Sequence, residues 1–418
     1  MLDINFIREN PKKVKEGSKK KGSDIDVDKI IELDKNYREI LQEVEELRSK
    51  RNELSKLLAD KEKREKHLDE AEKLKKELKS KEEKLNKVEG ELQKLLLSIP
   101  NMPFDDVPVG KDDSENVVAR TEGKLPDFDF EPRDYMEIAE MHDLIDTERA
   151  AKISGTRFGY LKNEAAQLEF ALVRMALDIL IEEGFTPMVP PVLIRPEYME
   201  KLGYLAEGGA EDIYHTQKDE MLLVGTSEQS LVPYFANEVL QEEELPKRFA
   251  AFSTCFRREA GSYGKDTRGI LRVHQFDKVE MVSFTHPDKS RDEHKYLLSL
   301  QEKLTQMLEL PYQVIDICSG DTGFPMAQKF DIEAWIPSEN KYRETHSTSN
   351  ATDFQARRLN TRYKTKDGQN TEFVHILNGT AYAIGRTIIA LLENHQQADG
   401  SVKIPEALQK YTGFNKIG

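Results

Sequence analysis

The run CFRREAGSYGKDTRGILRVHQFDKVEM, residues 255–281, carries Arg257, Arg258, Glu259, Lys265, Arg268, Arg272 and Glu280 within otherwise apolar, strand-forming sequence. Its centre is rich in glycine and serine, so the flanks read as two antiparallel strands closed by a loop. Charged side chains inside apolar strands need partners once buried. A strand pair with one charged face points either to a polyanionic ligand or to a structural ion-pair network, and the run alone leaves both open.

Outward from it, MLLVGT (221–226), RFAAFSTCF (248–256), RVHQFDKVEMVSF (272–284), YQVIDIC (312–318) and KFDIEAWI (329–336) have strand composition. Several follow one another with no helix between, which favours a large antiparallel sheet over β-α-β winding. Leu168, Leu172, Met175 and Ile179 recur at helical spacing before Gly184, and further helices are predicted over 288–309 and 381–396. The segment FTPMVPPVLI (185–194) reads as extended. Neither a Walker A loop nor GxGxxG occurs, so the usual nucleotide-binding turns are missing.

The N-terminal quarter obeys another period. Ile30, Leu33, Tyr37, Ile40, Val44, Leu47, Leu54 and Leu58 form a heptad seam interrupted at Arg51. Ala71, Leu74, Leu78, Leu85, Val88, Leu92, Leu95 and Ile99 form a second, interrupted at Lys81. The phase breaks between 59 and 67, so two helices folding back on each other, an antiparallel coiled-coil hairpin over about 30–99, explain the pattern better than one rod. Residues 30–58 alone span roughly 43 Å at 1.5 Å each. Pro100, Pro103 and Pro108 then end the helix. The fold class is α+β, with an N-terminal domain over 1–99, a linker over 100–117 and a second domain over 118–418.

Of 418 residues, 33% are charged and 38% hydrophobic, and no stretch approaches 18 uncharged apolar residues, so a membrane protein is not expected. The start, MLDINFIRENPKKVKEG, has no apolar segment behind its charges and does not read as a secretory signal. Two cysteines, Cys255 and Cys318, are too few for a disulfide framework or a four-cysteine zinc site, and a reducing cytoplasm is the natural compartment. The net charge of -15 argues at first sight against a nucleic-acid partner. Residues 1–98, however, hold 26 basic against 24 acidic residues, and the remainder 36 against 53. A polyanion would meet the N-terminal quarter first. Lys61, Lys63, Arg64 and Lys66 at the hairpin turn could meet phosphates, although Glu62 and Glu65 weaken that signal and a solvated coiled coil remains the bland alternative.

The quoted run resembles the second motif of class II aminoacyl-tRNA synthetases, specifically of the bacterial-type seryl-tRNA synthetases. GTAYAIGRTIIALLENHQ (379–396) resembles motif three, GFTPMVPPVLI (184–194) motif one, and VGTSEQ (224–229) the TxE element of the serine site. With the hairpin and ETHSTSNATDFQARR (344–358), the resemblance covers essentially the whole chain. It implies a class II catalytic domain on a mainly antiparallel sheet flanked by helices. The implied reaction joins L-serine to ATP, giving seryl-adenylate and pyrophosphate, then passes the seryl group to the 3′ end of tRNA(Ser); tRNA(Sec) stays open as a second acceptor.

The resemblance also implies roles. Arg257 would grip the α-phosphate and attacking carboxylate, Glu259 the adenine edge, and Phe276 and Arg386 the two faces of adenine, with Arg386 also meeting the γ-phosphate. Arg258 and Val273 complete the implied ATP set. Glu344 and Ser347 match ligands of Mg²⁺, while His346 beside them reads as an exposed or hydrogen-bonded histidine, because a hard cation disfavours imidazole. Thr226, Ser227 and Glu228 match the α-amino site, Glu280 the motif-two acid of the serine pocket, and Asn378 and Thr380 the contacts to the serine side chain. Motif one, with Pro190 and Pro191, implies a homodimer, and the hairpin the arm that meets tRNA(Ser). A catalytically inactive relative used for binding is the rival; it would have lost Arg257, Glu280 or Arg386, and all three are present. The segment LGYLAEGGAEDIYH (202–215) departs from the usual family wording.

Overall fold

The computed structural model describes residues 1–59, 64–206, 209–260 and 268–418. They divide into two compact units, Met1–Met102 and Pro103–Gly418.

The first unit is built from α1 (Ile4–Glu9), α2 (Pro11–Lys20), α3 (Val27–Leu58) and α4 (Arg64–Leu97). Asp3 caps α1 and Asp26 caps α3 by accepting from Lys29 N–H, so both starts are written locally. Pro11 opens α2, where its missing N–H has no helical partner to lose. The two long helices pack through Ile40, Val44 and Leu47 against Leu78, Leu85 and Val88. Lys81, the gap in the second seam, pairs with Glu43 across the hairpin, and Arg48 pairs with Glu82 at 2.8 Å. Such half-exposed pairs contribute little stability and serve mainly to fix which turns face each other.

Both helices extend beyond the predicted seams, starting at Val27 and Arg64. Near the end of α4, Leu96 is buried whereas the predicted seam residue Leu95 is only half-buried. Leu33 and Tyr37 are likewise half-buried, and Asp34 between them is buried and held by Arg8 at 3.4 Å and Arg38 at 3.0 Å. The hairpin turn, with Lys61 and Lys63, falls outside the described residues, as does the side chain of Arg64; Lys66 is exposed.

The second unit centres on eight strands: β1 (Val117–Glu122), β2 (Thr186–Met188), β3 (Lys247–Phe256), β4 (Gln275–Thr285), β5 (Tyr312–Asp316), β6 (Gln328–Ile336), β7 (Lys341–Asn350) and β8 (His375–Ala383). Their order is β1-β5-β6-β7-β8-β4-β3-β2, antiparallel except for the parallel edge pair β2–β3. Helices α5 (Asn163–Glu182), α6 (Ser290–Met307) and α7 (Ile384–Asn394) share one core with the sheet. Leu168, Leu172 and Met175, Leu297 and Leu304, and Ile388 and Leu392 pack there with Val279, Met281, Leu377 and Ala381. Because strand side chains alternate faces, β4 gives Val279 and Met281 to this core and Lys278 and Glu280 to the cleft, while Phe276 lines the cleft and also packs against the core's margin.

Three expectations need correction. Residues 381–383 finish β8, and the helix predicted from 381 starts at Ile384. Of MLLVGT, the paired part is Leu222–Leu223, against Leu193–Ile194. The helix predicted from 288 is preceded by a 3-10 turn over Pro287–Lys289. No helix among the described residues is long and apolar enough to cross a membrane.

Candidate active site

Two β-bulges decide which side chains share a wall. In β7 the pairing steps from Ile332–His346 to Glu333–Glu344, leaving Thr345 extra. Glu344 and Ser347 are an odd number apart and would face opposite ways in a regular strand; the extra residue brings both, with Ser349, to one cleft. In β8 the step from Thr380–Glu280 to Tyr382–Val279 leaves Ala381 extra, so Asn378, Thr380 and Ala383 all line the same cleft. Beyond Ala383 the chain enters α7, whose first turn adds Gly385 and Arg386 to the wall. The cleft holds about 410 Å³.

At one end, Glu280 lies directly opposite Thr380, whose hydroxyl donates to Oε2 at 3.2 Å. Lys278 Nζ meets the same oxygen at 2.5 Å. Asn378 Nδ2 is buried and has no partner among the described residues, an open donor on this wall. Glu228 accepts from Tyr204 OH at 2.8 Å and Gln355 Nε2 at 3.3 Å. Burial pushes its carboxyl up to about 7, and Glu280 adds to the rise against these hydrogen bonds and Lys278. Thr226 is buried beside it, its hydroxyl accepting from Glu228 N–H at 3.3 Å.

Also on the cleft wall, the Arg257 guanidinium lies 5.3 Å over the Phe276 ring, and its Nε donates to Gly225 O, beside Thr226, at 3.2 Å. Glu259 takes a left-handed backbone, φ 54°, and its carboxylate pairs with Arg272 at 2.7 Å. A non-glycine residue there is held by its surroundings: Asp212 accepts from Arg258 N–H and Ala260 N–H on either side, at 2.8 Å each. Arg386 Nη1 donates to Glu344 O at 2.9 Å and meets its carboxylate at 3.2 Å. Desolvation in the cleft opposes charge on Glu344, whose side chain is still 45% exposed, but Arg386, Lys329 and Arg257 outweigh it and hold the carboxyl well below the usual range. Lys329 also lines the cleft, paired with Asp331 at 3.2 Å.

Thus Arg257, Glu259, Val273, Phe276, Glu344, Ser347, Arg386, Thr226, Glu228, Glu280, Asn378 and Thr380 meet in one cleft. Arg258 is exposed and Ser227 fully buried, and neither lines it. His346 is buried, its Nδ1 2.8 Å from Thr345 Oγ1 and its pKa lowered to about 4 by burial; it is hydrogen-bonded and not exposed. Sequence reading missed Tyr204, Lys278, Lys329 and Gln355. Lys278 and Lys329 sit at alternating positions of predicted strands, a signal that could have found them. Tyr204 and Gln355 act across the fold and leave no local sign.

Glu344 and Ser347 present hard oxygens, and among the described residues no cluster of three or more histidine, cysteine, aspartate or glutamate side chains could hold a metal. Such a donor pair fits Mg²⁺ that takes its remaining ligands from phosphate and water.

A mainly antiparallel sheet whose inner strands wall one charged cleft is the core of a class II aminoacyl-tRNA synthetase, and the family model for the tRNA synthetase class II core domain (G, H, P, S and T) matches residues 210–395. Residues 1–103 match the seryl-tRNA synthetase N-terminal domain. A serine–tRNA ligase of Thermobifida fusca is 47% identical over 416 residues, 99% of this chain and 98% of that one. The crystal structure of seryl-tRNA synthetase from Pyrococcus horikoshii complexed with ATP superposes with a TM-score of 0.92 at 40% identity, covering 100% of this chain and 99% of that one. The cytoplasmic serine–tRNA ligase of Naegleria fowleri in complex with AMP gives 0.89 at 33% identity, with 100% and 98% covered. The chain belongs to the seryl-tRNA synthetase family and is an aminoacyl-tRNA synthetase with serine–tRNA ligase activity.

Proposed function

We propose that the cleft divides the ligase reaction between its two ends. The polar end takes L-serine: Glu228 and Thr226 receive the α-ammonium group, and Glu280, Thr380 and the open Asn378 amide read the hydroxyl. The cationic end takes ATP. Arg257 spans the α-phosphate and the attacking serine carboxylate, a task suited to a fork of donors. Phe276 and Val273 support adenine, Glu259 meets its edge, and Arg386, at the N-terminal turn of α7, receives the γ-phosphate with the help of that helix end. Glu344 and Ser347 would hold Mg²⁺, which supplies charge neutralisation on the phosphates.

Catalysis is then alignment of serine carboxylate and α-phosphorus plus neutralisation of developing charge; no covalent enzyme intermediate is needed. The observation that carries this reading is the placement of two buried acids and the unpartnered Asn378 donor in the same cleft as Arg257 and Arg386. The test is ATP–pyrophosphate exchange with each amino acid in turn, where serine should stand alone. Arg257→Ala should remove about 3–4 kcal/mol of transition-state stabilisation, at least about a hundredfold in rate. Near-normal exchange by a folded variant would rule the assignment out.

The near-neutral hairpin serves tRNA(Ser), and the adenylate reacts with its terminal ribose in the cleft. Phe170 and Ile181 stand on one face of α5 and, with Val189 and Leu193 of motif one, leave large apolar side chains exposed, as a homodimer interface requires. Sedimentation of the purified protein should accordingly give twice the chain mass. Buried, unpaired Cys255 and Cys318 suit a reducing cytoplasm.

A further inference from the structure

We propose that Lys278 is a positioning residue for serine choice: it holds the Glu280 carboxylate by one oxygen and leaves the other to the serine hydroxyl. This rests on the reading of the polar end of the cleft as the serine site.

Lys278 and Glu280 are two residues apart on β4, so both face the cleft, and their side chains are 8% and 3% exposed. Both contacts to the carboxylate, Lys278 Nζ at 2.5 Å and Thr380 Oγ1 at 3.2 Å, fall on Oε2. Among the described residues, Oε1 receives neither. Across the strand pair, Ser253 lies opposite Lys278 and Ala251 opposite Glu280, small residues that give both long side chains room to turn inward.

Burying an ammonium group costs more than packing a methionine of similar length, so the pair is not there for stability alone. Glu228, 4% exposed, is a second acid on the same wall. Without a cation near them, the two carboxylates would repel or share a proton. Lys278 thereby lets one acid address the ammonium group and the other the hydroxyl of a single serine.

The test measures exchange kinetics for Lys278→Met, Lys278→Arg, Glu280→Gln and the double variant Lys278→Met/Glu280→Gln. Lys278→Met should raise the KM for serine about tenfold or more, the scale of a hydrogen bond to a charged group. The KM for ATP should stay within about twofold, and Lys278→Arg should recover part of the loss. In the Glu280→Gln background the same lysine change should add little, because its effect passes through Glu280. Equal losses in both backgrounds, or a fall in kcat with the serine KM unchanged, would overturn the proposal by making Lys278 a direct substrate contact. An unchanged serine KM in Glu280→Gln alone would instead overturn the serine-site reading beneath it. Should Lys278→Met fail to fold, Lys278→Gln carries the same comparison.

Discussion

Glu228 is a buried carboxyl, and in the serine site proposed above it must be ionised to receive an ammonium group. Burial raises its pKa to about 7, so in the free enzyme a falling pH neutralises it near the physiological range. The ionised form is the binding form, and kcat/KM for serine should therefore rise with pH through about 7 and level off above it. Tyr204 opposes the rise in pKa through its hydrogen bond. Tyr204→Phe should move the midpoint of the profile upward, while the kcat/KM plateau at high pH changes less. A flat profile between about pH 6 and 8 would show that another group receives the amine.

At the scale of elements, the cleft depends on two strands that part company. β7 and β8 pair only over Thr348–Asn350 and Leu377–Gly379, then diverge at their bulges. Gln301 of α6, fully buried, fills the opening: its Nε2 donates to Ser347 O and Thr380 O, at 2.8 Å each. One amide thus satisfies a carbonyl on each strand at the residues that wall the cleft. Gln301→Leu keeps the bulk but leaves two carbonyls short of a partner. We expect a loss of about 2–6 kcal/mol in urea unfolding, at about 1–3 for each of the two carbonyls left short of a partner. Exchange activity should fall in the folded fraction as well, since Thr380 and Ser347 lose their common anchor.

At the scale of the whole molecule, the chain separates into two compact units, and the cleft residues all belong to the second. Replacing residues 30–97 by a short flexible linker should leave serine-dependent exchange within a few-fold of the intact protein while transfer to tRNA collapses. Neutralising Lys61, Lys63, Arg64 and Lys66 should weaken transfer less and flatten its salt dependence, since each lost phosphate contact lowers the log–log slope by about 0.9. Loss of exchange with tRNA binding intact would reverse this division of labour.

By itself, the sequence determined what local chemistry can write. The heptad seams called for two helices and placed their phase break; Leu168 to Ile179 marked α5; the charged run at 255–281 called for a strand pair with one charged face. Tertiary structure alone decided which of those charges face one another. β7 could not be read as a strand from ETHSTSN, because its polar side chains wall a cleft and the apolar alternation that betrays a strand is missing. A bulge is an extra residue relative to a partner strand, so the phase change that unites Glu344 with Ser347 exists only once β6 and β7 are paired. The left-handed turn at Glu259 and the reach of Gln301 across two strands are likewise fixed by neighbours distant in sequence. Periodicity records how one segment meets a surface, and the geometry of a site is a relation among several.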